Sequence, residues 1–148
     1  MLSCAGSSSL SWEHSCYLGC KKTSPLVGSW ESTETIGKQP AKIQLSFAED
    51  GTYTNVTTIS QGKMVVTDRG HWSQPNENSL TTKVDDVDWK FSGNLQLVAR
   101  AEVRFKQNKQ KIIDSTNQHP TEKIAWSGSQ SFTITSDDGS TRTYQRAP

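Results

Sequence analysis

Between positions 41 and 47 the chain reads Ala-Lys-Ile-Gln-Leu-Ser-Phe, which sets Ala41, Ile43, Leu45 and Phe47 against Lys42, Gln44 and Ser46. Strict alternation is the period of a strand with one buried and one wet face, and it is incompatible with an amphipathic helix at this point. Ala48-Glu49-Asp50-Gly51 then turns the chain, with Gly51 free to adopt positive φ. Residues 52–59 return, rich in Thr and β-branched side chains and carrying Tyr53.

The same grammar extends in both directions. Residues 26–35 predict an earlier strand, ended by the Gly37 to Pro40 region, and Gln61-Gly62 opens a turn into a strand over 63–69. Gly70-His71-Trp72 follows, Pro75 and Asn76 punctuate, and 80–84 predicts a further strand. Val87, Trp89 and Phe91 then share a face opposite Asp86, Asp88 and Lys90, and Ser92-Gly93-Asn94 reads as a hairpin turn. Leu95, Leu97, Ala99, Ala101, Val103 and Phe105 recur at every second position, which predicts a long strand, although residues 99–111 are rich in helix formers. Ile112-Ile113 opens a further strand or a helical turn. Residues 124–126, 132–135 and 141–146 close the pattern, the last two as a hairpin around Ser136-Asp137-Asp138-Gly139. Roughly nine or ten short strands at this spacing point to an all-β, antiparallel barrel or sandwich.

At 148 residues the chain has the length of one domain and buries enough surface to fold without staples. Five Trp, four Phe and three Tyr supply bulky core material within a composition that is only 32% hydrophobic. A formal net charge of +1 gives no long-range field toward nucleic acid, so a nucleic-acid partner is not expected. Residues 1–25 carry all three cysteines, Cys4, Cys16 and Cys20, with much Ser and Gly, and read as a flexible leader ahead of a domain spanning 26–148.

Gly28-Ser29-Trp30 near the start, a second Gly-x-Trp at Gly70-His71-Trp72, a long meander, and Tyr144-Gln145-Arg146 at the end resemble the bacterial lipocalin-like proteins of the calycin group. The resemblance implies an up-and-down β-barrel in which Trp30 closes one end and Arg146 lies across it, with Trp72 as the second motif tryptophan. Avidin-like barrels also begin with Gly-x-Trp, which puts biotin into a ligand screen. The surroundings of Cys4 and Cys20 resemble the end of a lipoprotein signal, but the apolar h-region such a signal needs is missing. The expectation is therefore a periplasmic or envelope protein tethered through an N-terminal Cys, with a cytoplasmic one as the alternative. Cys16 and Cys20 can pair in an oxidising compartment, or all three thiols are inert.

The chain lacks the motifs of catalysis: no Gly-x-Ser-x-Gly, no His-Glu-x-x-His and no glycine-rich phosphate loop. His71 is the sole nominee for a general base, and without an identifiable orienting partner it weighs less than a satisfied strand histidine. Asp85, Asp86 and Asp88 lack the spacing of a calcium loop, and alternation sets Asp85 opposite the other two, so they read as a solvated edge. The cations Arg100, Arg104 and Lys106 with Glu102 read as a wet strand face, or as a stripe facing phosphates or anionic lipid. Tyr53, Trp72, Trp89, Phe91 and Phe105 are the candidates to line a ligand cavity, with Trp30 and Arg146 structural. The resulting expectation is a barrel that binds a small, mainly apolar molecule, with no catalysis, no metal and no cofactor. The alternatives are a filled barrel that serves as an interaction scaffold and, weaker, a barrel enzyme.

Overall fold

The computed structural model describes residues 23–148, and the expectations for Cys4, Cys16 and Cys20 lie outside them. Eight antiparallel strands close into a barrel in chain order. They are β1 (Gly28–Ile36), β2 (Gln39–Phe47), β3 (Thr52–Ile59), β4 (Met64–Asn76), β5 (Ser79–Phe91), β6 (Thr121–Trp126), β7 (Ser131–Thr135) and β8 (Thr141–Arg146), with one helix, α1 (Leu95–Thr116), between β5 and β6.

Two features reduce the anticipated strand count. The strand expected over 63–69 runs on through Gly70 to Asn76 as the 13-residue β4, and the segments expected as separate strands at 80–84 and 87–91 form the single 13-residue β5, with a bulge. At that bulge Arg69 pairs with Asp86 while Gly70 pairs with Val84, so Asp85 is the extra residue. Gly70 is what permits the approach: a Cβ there would lie 1.8 Å from the Lys83 carbonyl oxygen.

The second correction concerns residues 95–105, which form a helix rather than a strand, so the hairpin expected around Ser92-Gly93-Asn94 does not exist. Asn94 is an N-cap whose side chain accepts from the backbone N–H groups of Gln96 and Leu97. The alternating apolar residues do not share a buried face, for Leu95, Leu97 and Val103 are 85%, 64% and 55% exposed. Partial burial falls instead on Val98, Ala101, Phe105 and Ile112, at helical spacing, beside the buried Ile113.

The helix replaces part of the barrel wall. β6 pairs with β5 only along Ser79–Thr81, and beyond that point α1 packs on β5. Asn117, just past the helix, supplies a side-chain rung: the Val84 N–H donates to its Oδ1 at 2.8 Å, and its Nδ2 donates to the Val84 carbonyl at 2.9 Å. Phe105 stacks on Trp89 and Phe91 at 4.7 and 5.2 Å, and Lys109 reaches Asp86 at 2.6 Å. Contacts at Val84, then Asp86, then Trp89 and Phe91 are met by falling helix numbers, so α1 runs antiparallel to β5.

One end of the barrel is packed with rings. Trp30, Phe132 and Leu26 are fully buried, with Trp30 set edge-on to Phe132 at 4.6 Å and to Trp126 at 5.8 Å. The Trp30 indole N–H donates to the Leu26 carbonyl at 2.8 Å. The Arg146 guanidinium lies 4.2 Å from the Trp30 ring and donates to the carbonyls of Pro25 and Val27. Gly28, at φ +130°, leaves room for it, since a Cβ would stand 2.8 Å from Arg146 Nη1. We refer to this end as the floor. The other end, ringed by the β1–β2 and β3–β4 turns and the start of α1, is the mouth.

Candidate functional site

Register fixes which side chains share the interior. Reading across the paired strands, Tyr53 neighbours Phe47 and Gly70, while Asn55 neighbours Leu45 and Asp68. Thr57 neighbours Ile43 and Val66, and Val66 in turn pairs with Trp89. Alternation therefore puts Tyr53, Asn55, Asp68, Val66, Trp89 and Phe91 on one inward surface with the buried Val87. Along their own strands, Asn55 and Asp68 stand nearer the mouth than Tyr53 and Trp72.

The five expected cavity residues divide into two groups. Trp89, Phe91 and Phe105 come together at the mouth, but Phe105 arrives from the helix. Tyr53 and Trp72 lie deeper, each against Phe47, at ring separations of 6.4 and 5.0 Å. The Trp72 indole N–H donates to the Ala48 carbonyl at 3.0 Å, anchoring the ring toward the β2–β3 turn.

Between the two groups lies a polar zone on the inner wall. Glu34 and Arg142 form a two-pronged ion pair at 2.8 and 2.9 Å across the β1–β8 seam, and Arg142 also donates to the Tyr144 hydroxyl at 3.5 Å. Glu122 accepts from the Ser136 hydroxyl at 2.8 Å, and Asp68 accepts from Asn55 Nδ2 at 3.2 Å. Asn55 Oδ1 is buried and has no hydrogen-bond partner among the described residues. Tyr53 is only 6% exposed, and no hydrogen bond holds its hydroxyl among the described residues.

Charge in this zone is unbalanced, because Glu34 already neutralises Arg142 and no cation pairs with Asp68 or Glu122 among the described residues. Burial pushes the Asp68 carboxyl above the ordinary carboxylate range, with the Asn55 amide opposing. Burial also pushes the Tyr53 phenol well up, and the negative charges of Asp68, Asp85 and Glu122 add to the shift. Tyr144 is raised mainly by burial. Sequence reading passed over Asn55, Asp68, Glu122 and Arg142 because each is a common surface residue. Only the strand parity, once Tyr53 and Trp89 were placed inward, carried a signal for Asn55 and Asp68.

His71 and the acids are on the outside. The bulge turns Asp85 to the same outer face as Asp86 and Asp88, which corrects the simple alternation. There Asp85 Oδ2 meets His71 Nδ1 at 2.5 Å, and Arg69 bridges Asp88 at 2.5 Å and Asp86 at 3.8 Å. Lys109 holds the Asp86 carboxyl below its usual range by hydrogen bonding. His71 is 66% exposed there. An open hollow of about 400 Å³ lies along α1, lined by Ala99, Arg100, Val103, Arg104 and Gln107. Arg100 and Arg104 share a helix face one turn apart, and Lys106 points elsewhere. Among the described residues no helix is long and apolar enough to cross a membrane.

No protein-family model matches the chain, and no curated protein does. Among solved structures, the chain is similar to that of a protein from Burkholderia xenovorans determined by NMR, at 13% identity and a TM-score of 0.41, covering 90% of this chain and 94% of that one.

Proposed function

We propose that this barrel is a non-catalytic binder of a small, mainly apolar molecule, held in the mouth half of the interior. The observation that carries the reading is a buried polar atom, Asn55 Oδ1, without a hydrogen-bond partner among the described residues, on a wall shared with Tyr53, Val66 and Trp89. An unmet buried acceptor costs about 1–3 kcal/mol, and a ligand's polar end or a water relieves that cost. Asp68 and Glu122 disfavour a carboxylate at this depth, so the ligand's polar end is a hydroxyl or an amine. Apolar burial against Trp89, Phe91 and Phe105 supplies most of the affinity.

Thermal melts and tryptophan fluorescence in lipid-free buffer with decanol, decylamine and decanoic acid test this. The expected result is a melting shift and Trp quenching with the alcohol or the amine and less with the acid, since a ligand bound to the folded state alone raises its stability. Decanoic acid shifting the melt most strongly would overturn the polar-end assignment.

The rival reading is a filled barrel acting as an interaction scaffold, and it draws on one observation. Phe105 stacks against both Trp89 and Phe91, which occupies the mouth with protein. Silence with all three probes and with biotin supports that reading. A location in the cell envelope, with a lipid tether on an N-terminal Cys, belongs to the same proposal. Mass spectrometry of the protein from its own host tests it.

A further inference from the structure

The large hydrophobic residues that the described chain exposes are Ile36, Leu95, Leu97 and Val103. All four lie at the mouth: Ile36 ends β1 beside the β1–β2 turn, and the others belong to the first part of α1. Because Phe105 is level with Trp89 and Phe91 at the end of β5, the turns of α1 before it overhang the last strand residues, by less than the roughly 14 Å that the four residues from Phe91 to Leu95 can span. Val98 and Ala101 are half-buried on this overhang, while Leu95, Leu97 and Val103 face solvent.

Cations gather around the same end. Lys38 and Lys63 are exposed on the β1–β2 and β3–β4 turns, and Lys90 is exposed at the end of β5. Arg100 and Arg104 are exposed on the overhang and Lys106 just past it, with Glu102 the one acid among them. The first turn of α1 has no acidic residue, so its helix dipole adds to the positive field. Asp137 and Asp138, on the β7–β8 turn, join Glu102 and offset only part of these six cations. That turn follows the β1–β8 seam, where Arg142 meets Glu34, so it stands beside Lys38 at the edge of the mouth. A chain with a net charge of +1 therefore concentrates its positive charge at one end.

We propose that the overhanging turns of α1, together with the basic β1–β2 and β3–β4 turns, dock the mouth of the barrel onto an anionic lipid surface. Geometry favours lipid over an acidic protein. Leu95 and Leu97 are two residues apart on a helix and so point roughly 200° from each other, yet both are exposed. A single protein face covers one of them, whereas a fluid interface surrounds both. Leu95 and Leu97 enter the headgroup and acyl boundary, and the surrounding Lys and Arg meet lipid phosphates. The mouth then opens toward the compartment in which apolar molecules are dissolved.

The test is co-sedimentation of the full chain with vesicles of phosphatidylcholine alone or with 30 mol% phosphatidylglycerol added. Binding is expected to the anionic vesicles only and to weaken steeply as salt is raised. Each Lys or Arg near such a surface contributes roughly fivefold to partitioning, so the R100E/R104E double variant is expected to lose at least about tenfold. The L95S/L97S variant, with both side chains already in solvent, is expected to keep the wild-type melting temperature and to lose binding. The K38E/K63E variant tests the strand turns independently of the helix. Equal binding to both vesicle types, no binding to either, or unchanged binding of both helix variants overturns the proposal, and the second of these outcomes redirects the surface to an acidic protein. Vesicles contain none of the probes used for the interior, and the melting shift is read without lipid, so either reading fails alone.

Discussion

Gly70 shows how much a missing methyl decides. Its neighbour across the bulge is backbone, which has nowhere to go, so Gly70→Ala is expected to cost roughly 3 kcal/mol in urea denaturation, at the upper end of overpacking penalties. Asp68 makes a different kind of prediction. Its raised folded-state affinity for a proton means that the native chain binds that proton more tightly than the unfolded chain. Stability therefore falls as pH rises through the window just above the ordinary carboxylate range of about 4. Glu31, Asp50, Asp86 and Asp138 are shifted the other way and lose their contribution as pH falls. Comparison with Asp68→Asn isolates the buried group: the melting temperature of the variant minus that of the wild type is expected to grow from pH 4 to pH 7. A flat difference would show that Asp68 is solvated. Residues such as Trp30 were legible in the sequence because a large indole after a glycine has few other uses. Asn55 and Asp68 were not, because their chemistry depends on burial, which the residue letter does not carry.

At the scale of elements, α1 is the piece that sequence pattern misassigned, and the reason is physical. Alternation signals a strand only when the alternating residues are buried together, and Leu95, Leu97 and Val103 are instead in solvent. Local signals agreed with the helix throughout: a capping Asn94, Ala at 99 and 101, and few β-branched residues before Ile112. What holds the helix can be ranked. Lys109 and Asp86 are a solvent-screened pair, and pairs of that kind contribute little, so Lys109→Ala is expected to leave the melt almost unchanged. Asn117 satisfies both backbone groups of Val84, so Asn117→Ala leaves two groups to find water and is expected to cost about 1–3 kcal/mol. Hydrogen exchange at the Val84 amide is the direct readout, and it should accelerate in N117A and not in K109A.

For the whole molecule, the barrel closes where its first and last strands meet, and that seam is brief. β1 and β8 are in register only at Trp30 with Arg146 and Glu31 with Gln145, and the Glu34–Arg142 pair bridges the seam farther toward the mouth. The pair is partly exposed, so removing one partner is expected to cost about 1–2 kcal/mol, less than a fully buried pair. A double-mutant cycle with Glu34→Gln and Arg142→Gln gives the coupling directly. A cycle energy near zero would mean that the two-rung ladder and the Trp30 ring cluster close the barrel unaided. Closure itself was legible from the run of short strands and the bracketing Trp30 and Arg146. The polar zone was not, because it assembles from β1, β3, β4, β6 and β8, which the sequence places far apart.

The side-chain rung at Asn117 has a mechanical consequence. Everywhere else the staves of this tube are laced backbone to backbone, and separating them undoes many bonds at once. Beside the far half of β5 the panel is held by one side-chain amide, the buried Ile113 and a stack of rings. It is therefore the section expected to yield first while every strand stays joined to its neighbours, which would open a side window over Trp89 and Phe91.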